Sequence, residues 1–260
     1  MIILIHTSKT MRPPAEDALS SQKPILIDRA KELDSYLKTL SSQQLAKVMH
    51  ISPKLAESTH NLIAGWTDAP SSQRPAIDSF LGDIYSGLQV LDWTEKDREY
   101  ANQRLKILSG LYGILKPLDG IYPYRLEMGY RLPLKKFSNL EKYWSQDILA
   151  TLPTNQLIVN LAAVEYSKVI LGHIDNAQVI SPMFLTLNPK TNQPTFVVVH
   201  AKIARGAFAR YLIKNRVNEQ KQLRDFADLG YKYNQVLSSP NIPVFVCNIF
   251  GGIGLSVRLK

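Results

Sequence analysis

The sequence predicts an α/β (mixed α+β) fold in a single domain over residues 1–260, with helices packed around a mixed sheet. It is helix-rich over 1–150 and strand-rich over 151–260. Three observations carry that expectation. Ile2–Ile5 is a continuous apolar run dominated by β-branched residues and followed by a polar cluster, the pattern of a short buried strand. Residues 24–108 carry repeated helix-start signals, and residues 157–247 break into short β-branched and aromatic runs separated by loop residues.

Taken in order, His6 to Pro14 reads as a loop and Pro24 to Val48 as helical with a break at Ser41. There Ser-Ser-Gln-Gln supplies an N-cap and a Gln three residues on, a capping box. Ser52-Pro53 places a cap before a proline at the first helical position, opening a helix to Trp66. Thr67 to Pro75 is loop-like and Pro75 to Leu81 a short helix. Thr94 and Asp97 cap a long helix of good formers expected to reach Leu108. Strands are expected at Leu157–Asn160, Gln178–Ser181, Phe184–Leu187 and Thr195–His200, with an Asn- and Pro-bearing loop over Asn188–Pro194. Ala201 to Arg216 is a helix, and Tyr231–Leu237 and Val244–Cys247 are late strands. No fixed-period repeat and no Gly/Ser/Pro linker divides the chain.

Composition narrows the function classes. The lone Cys247 cannot close a disulfide within the chain, and no apolar run approaches the ~18 residues of a membrane span, so a cytoplasmic location is expected. The net charge of +9 is uneven. Residues 1–100 hold 11 Lys and Arg against 13 Asp and Glu, whereas 101–260 hold 20 against 9. That asymmetry points to a polyanion partner; the plainer alternative is a solvated surface.

Two local patterns bear on that partner. Leu108-Ser109-Gly110-Leu111-Tyr112-Gly113, with Lys116 beyond, has the glycine spacing of the hairpin in helix-hairpin-helix DNA-binding elements. There a tight turn aims unpaired N–H groups at a phosphate. A simple helix C-cap explains the same glycines, and Pro117 shortens any second helix. Lys202, Arg205, Arg210, Lys214 and Arg216 all fall on the helix after the strand at Thr195, with no acidic residue between Asp175 and Glu219. A single-sign face forgoes the i, i+4 pairs that usually stabilise an exposed helix, and a phosphate partner accounts for that.

Polar residues also gather at element ends: Lys9, Arg125, Glu127, Asn160 and Glu165-Tyr166. They line either an active site or a structural ion-pair network. Ser8-Lys9-Thr10 lacks the glycines of a P-loop, and Gly251-Gly252-Ile253-Gly254 has no room for a strand-loop-helix unit. Glu57-x-x-His60 is a single copy of a motif that di-iron sites use twice. The five histidines are scattered, so no metal and no cofactor is expected.

In combination these segments resemble the YaaA family of bacterial cytoplasmic peroxide-stress proteins. The matching residues are Lys9-Thr10, Gly82 through Leu88, Leu108 through Asp119, Pro123 through Gly129, Asn160-Leu161-Ala162 with Glu165-Tyr166, and Ala201-Lys202 with Ala204-Arg205-Gly206. The resemblance implies a cantaloupe-like single-domain fold with a positively charged cleft and a helix-hairpin-helix element. It also implies binding to double-stranded or branched DNA, and a role in limiting peroxide- and iron-dependent damage. Carried over by position, the hairpin is Ser109 to Gly113 and the cleft residues are Lys9, Arg125, Lys202 and Arg205, with Arg210 further along the same helix. Three departures stand out: His6-Thr7-Ser8 where the family more often has Ser-Pro-Ala, Ala163-Val164 where relatives can carry Ser-Asp, and a tail from Cys247 to Lys260 that matches no family pattern.

The expectation is a non-enzymatic protein that binds duplex or branched DNA through backbone phosphates, without reading sequence and without a membrane. The alternative is an enzyme acting on nucleic acid or a nucleotide, with Glu165 or Glu127 as catalytic candidates and Glu165 the general base. A third reading docks the basic face on an acidic protein.

Overall fold

The apolar run at the start of the chain forms β1 (Ile2–His6), every residue of which is buried. A computed structural model describes residues 1–14, 22–70, 73–175 and 178–252. Residues 71–72 of the Thr67–Pro75 loop, Ile253 and Gly254 of the glycine cluster, and the tail from 253 lie outside them.

The expected loop after β1 contains β2 (Thr10–Met11). The Pro24–Val48 region is two helices, α1 (Ile27–Leu37) and α2 (Ser42–Met49). At the break, the Ser41 hydroxyl accepts from the Gln44 N–H, and the Gln44 side chain accepts from the Ser41 N–H. Ser52 caps α3 (Pro53–Gly65) in the same way, its hydroxyl accepting from Leu55 N. The short helix expected over Pro75–Leu81 is divided into β3 (Arg74–Pro75), α4 (Ala76–Ser79) and β4 (Phe80–Leu81). After α5 (Asp83–Leu88), Thr94 and Asp97 form the predicted capping box of α6 (Glu95–Arg104).

Here the structure departs from the sequence reading. The helix stops at Arg104, and Leu105–Ser109 is β5, buried throughout and parallel to β1 in the register Ile3↔Leu105 to His6↔Leu108. Good helix formers yield to a strand because the apolar Leu105, Ile107 and Leu108 can be buried on both faces of a parallel sheet. β5 turns back into β6 (Gly113–Leu115), antiparallel to it.

The segment expected to be a helix-hairpin-helix is therefore a β-hairpin, and it faces the core. Ser109, Leu111 and Tyr112 are no more than 1% exposed. A Cβ on Gly113, which has φ +68°, would meet Trp144 Cε3 at 2.6 Å, and Trp144 Nε1 donates to the Gly110 carbonyl at 2.9 Å. Gly113 admits the indole ring and Gly110 the backbone of Leu126 and Glu127, so both are packed against protein. Lys116, exposed just beyond, gives its backbone N–H to Asp119.

The rest follows as β7 (Gly120–Ile121), α7 (Leu140–Thr151), β8 (Ile158–Asn160), α8 (Val164–Leu171), β9 (Val179–Ile180) and β10 (Met183–Leu187). Then come β11 (Pro194–Thr195), α9 (Val198–Lys214), β12 (Tyr231–Tyr233) and β13 (Val244–Cys247). The strand expected over Thr195–His200 ends at Thr195, where its short pairing with β10 runs out, and α9 begins three residues later. The strand expected to reach Leu237 stops at Tyr233.

The main sheet has the order β6-β5-β1-β8-β9, parallel except for β6. A second sheet, β11-β10-β13-β12, packs Phe184, Phe245 and Tyr231 with Phe208 of α9 and Phe226. Two small ladders pair β2 with β4 and β3 with β7. One buried apolar cluster runs through both halves of the chain.

α5 and α9 join those halves by direct backbone contact. A Cβ on Gly87 would fall inside the Ile203 carbonyl, and a Cβ on Gly206 inside the Ile84 carbonyl. Only glycine at both positions permits this approach. Replacing Gly206 with Ala should cost about 3 kcal/mol, the upper range for overpacking a rigid core. Gly172→Ala, whose new Cβ meets Lys168 O at an ordinary 3.6 Å, is the control. Urea unfolding measures both, and equal midpoints would contradict the crossing.

Candidate functional site

Parallel strands leave their carboxyl ends on one edge of a sheet, and a crevice opens where successive connections run to opposite sides. In this sheet the chain passes from β1 to β5 on one side and later to β8 on the other, so the switch lies between β1 and β8. His6 and Thr7 stand at the end of β1; Asn160 through Ala163 stand at the end of β8. Asn160 serves the turn itself: its Oδ1 accepts from Ala162 N at 3.1 Å and its Nδ2 donates to Ser181.

Ala163 N donates to His6 Nδ1 at 3.1 Å, which puts the imidazole proton on Nε2. The ring stacks on Tyr166 with centroids 4.9 Å apart. Burial, reinforced by Arg205 and Lys202, pushes the His6 pKa down to about 3, so the ring is neutral at physiological pH. Hydroxyls hold this strand end in place. Tyr85 donates to the His6 carbonyl at 3.2 Å, Thr7 donates to the Tyr166 oxygen at 3.4 Å, and Tyr124 shares a 2.6 Å hydrogen bond with Ser109. Burial raises all three tyrosine pKa values, so they stay protonated.

Lys9, Arg125, Glu127 and Glu165 meet at this edge. Glu127, 12% exposed, accepts from Lys9 Nζ at 3.0 Å and from Tyr130 at 2.8 Å. Glu165, at the first turn of α8, accepts from Gly129 N at 2.9 Å. Arg125 reaches the Lys9 carbonyl at 3.4 Å, and its Nε is buried with no hydrogen-bond partner.

The basic helix divides in two. Its distal cations belong to an ion network: Arg210 with Asp92 at 3.6 Å and Asp228 at 4.0 Å, Lys214 and Arg216 with Asp97 at 3.1 and 2.8 Å. Burial opposes ionisation of Asp97, yet hydrogen bonds from Thr94, Lys214 and Arg216 hold its carboxyl far below the usual range. Arg210 is therefore met by acids from other elements, while its Nε is buried with no hydrogen-bond partner. Lys202 and Arg205 have no ion-pair partner among the described residues, and burial works against the Arg205 charge.

The structure therefore brings together Lys9, Arg125, Glu127 and Glu165, and its electrostatics tie Lys202 and Arg205 to His6 at the same edge. It places Arg210 beside Asp92 and Asp228 and buries Ser109, Gly110, Leu111, Tyr112 and Gly113. Sequence reasoning missed His6 and Tyr130 as site residues. His6 was accessible to it as the residue that ends a buried strand; nothing local marks Tyr130. Among the described residues no three His, Cys, Asp or Glu side chains converge as a metal site, and no helix is long and apolar enough to cross a membrane.

Residues 1–237 match the family model described as peroxide stress protein YaaA. A UPF0246 protein of Salinispora tropica is 57% identical over 99% of this chain and 98% of its own length. UPF0246 proteins of Clostridium beijerinckii and a Marinomonas species are 36% and 39% identical, over 96% and 95% of this chain and 98% and 96% of their own.

His6 makes a pH-dependent contribution. Between about pH 3 and its ordinary value of 6.5, the unfolded chain binds a proton there and the folded chain does not. Stability therefore falls on acidification through that window, by about 1.4 kcal/mol per pH unit. Urea titrations from pH 4 to 7 should show a shallower slope for His6→Gln than for the wild type. Identical slopes would mean that folded His6 is protonated.

Proposed function

The chain belongs to the family of peroxide stress protein YaaA, and from that premise we propose that it holds the phosphate backbone of DNA at the carboxyl edge of its parallel sheet. Bound there, the DNA is protected from peroxide- and iron-dependent damage. The observation that carries this reading is Arg205, a partly buried guanidinium with no carboxylate partner among the described residues. A desolvated charge is costly unless it is paired, and a phosphate oxygen supplies the missing partner bidentately. Lys202 beside it and Arg125, with its unpartnered Nε, extend the same surface.

Recognition of backbone rather than sequence is favoured by the burial of α9. Ala201, Ile203, Ala204, Ala207, Phe208, Ala209, Leu212 and Ile213 of α9 are all buried, so this helix cannot lie in a major groove. Its contribution is limited to the cations of its first two turns.

A second reading is favoured by one observation: Glu127 and Glu165 converge on the 127–130 segment beside the same cations. In an enzyme acting on nucleic acid or a nucleotide, Glu165 is the general base and the cations hold the phosphate.

Fluorescence anisotropy of a labelled duplex across a salt series tests the first reading. Each phosphate contact contributes about 0.9 to the slope of log K against log salt, so Lys202→Ala and Arg205→Ala should each lower the slope by about 1. Arg210→Ala should leave the slope unchanged and lower stability instead. An unchanged slope for Arg205→Ala would contradict the proposal. Turnover of an oligonucleotide or nucleotide that Glu165→Gln abolishes, with binding intact, would favour the enzyme.

A further inference from the structure

Next to the strand-end site runs a groove of about 620 Å³, between α2 and the segment 129–133. Its walls are Gln44, Lys47 and His50 on one side and Tyr130 and Arg131 on the other, with Gly129 at the inner end. No acidic residue lines it. Lys47, His50 and Arg131 are exposed, and neither Lys47 nor Arg131 has an ion-pair partner among the described residues.

The groove is continuous with the site already described. Tyr130 lines it and also donates its hydroxyl to Glu127, the carboxylate that Lys9 holds. Gly129 lines it and gives its N–H to Glu165. A Cβ at Gly129 would lie 2.7 Å from Glu165 Oε1, so the absence of a side chain lets Glu165 pack against this segment. The groove itself presents the cations Lys47 and Arg131 with His50 and the Tyr130 ring, while the two carboxylates bind its wall from the strand-end site.

We propose that this groove takes a single strand of nucleic acid with unpaired bases, continuing from the phosphate site; the inference rests on the phosphate reading of Arg205. A duplex offers its backbone and keeps its bases stacked and paired. Nothing in a duplex backbone can stack on Tyr130. An unpaired strand can place phosphates against Lys47 and Arg131 and stack a base on Tyr130. Basic rims with an aromatic platform between them are how single strands are bound without strict sequence preference.

The test compares a fluorescent single-stranded oligonucleotide with the same sequence as a blunt duplex, across a salt series. Three proteins are titrated: wild type, Lys47→Ala/Arg131→Ala and Arg205→Ala. The altered groove residues are exposed and unpaired, so folding should be unaffected, and circular dichroism verifies it. The double variant should bind the single strand roughly tenfold or more weakly, with a salt slope lower by about 1.4, at ~0.7 per phosphate, while duplex affinity holds. Unchanged single-strand affinity, or equal losses on both forms, would overturn the proposal. Poly-glutamate competing as well as the oligonucleotide would also overturn it and make the groove a site for an acidic protein. Arg205→Ala keeps the two readings apart. If it leaves both forms unaffected while the double variant remains selective, the phosphate site fails and the groove stands.

Discussion

The contact on which the rest of this molecule depends is the crossing of α5 and α9, where Gly87 and Gly206 let two helix backbones touch. α5 belongs to the helix-rich first half and α9 to the basic second half, and their approach positions both. Arg205 immediately precedes Gly206, so the depth of the crossing sets how far its guanidinium is sunk. Tyr85, two residues before Gly87, reaches the carbonyl of His6 from the other side. The end of β1 is thereby fixed between the two helices, and burial of His6 beside Arg205 and Lys202 follows from it. Packing and electrostatics are the same constraint at this point: helices held further apart would hydrate Arg205 and remove its need for an anion.

The fate of the basic residues illustrates how charge is divided between structure and surface. The chain carries a net +9, yet Arg210 and Lys214 at the distal end of α9 face protein carboxylates. Arg210, Lys214 and Arg216 are held by Asp92, Asp97 and Asp228, none of which lies on α9. Pairing of this kind secures the helix C-terminus and leaves Lys202 and Arg205 without an ion-pair partner among the described residues. The Lys9–Glu127 pair has a different character, since Lys9 is 61% exposed and Glu127 12%. The Lys9 ammonium is thus open to solvent, while the Glu127 carboxylate is held inside by Lys9 and the Tyr130 hydroxyl.

Local signals in the sequence were legible and non-local ones were not. The caps at Ser41, Ser52 and Thr94 are read within four residues, and all three form. β1 and β13 are identifiable from their unbroken apolar runs. By contrast, Leu105–Ser109 becomes a strand only because β1 is there to pair with it, and that partner is a hundred residues away. The glycines at 110 and 113 fit a phosphate-binding turn and a turn under an indole equally well; Trp144, far along the chain, decides between them. The acids that meet the distal cations of α9 lie on other elements, so they are invisible along the helix itself. Lys9, Arg125, Glu127, Glu165, Lys202 and Arg205 were all singled out from the sequence as polar residues at element ends or on one helix, and they fall at one edge of the sheet. What the sequence could not supply was the order of the strands, and hence the switch point that makes His6 the floor of the site.

The central claim is that Arg205, which has no ion-pair partner among the described residues, takes a phosphate as its partner. A crystal structure of the chain with a short oligonucleotide carrying a single-stranded overhang tests it most directly. The account predicts a phosphate within hydrogen-bond distance of Arg205 and Lys202, at the carboxyl ends of β1 and β8. Nucleic acid bound on another face, with Arg205 unpaired or turned to a protein carboxylate, would contradict it.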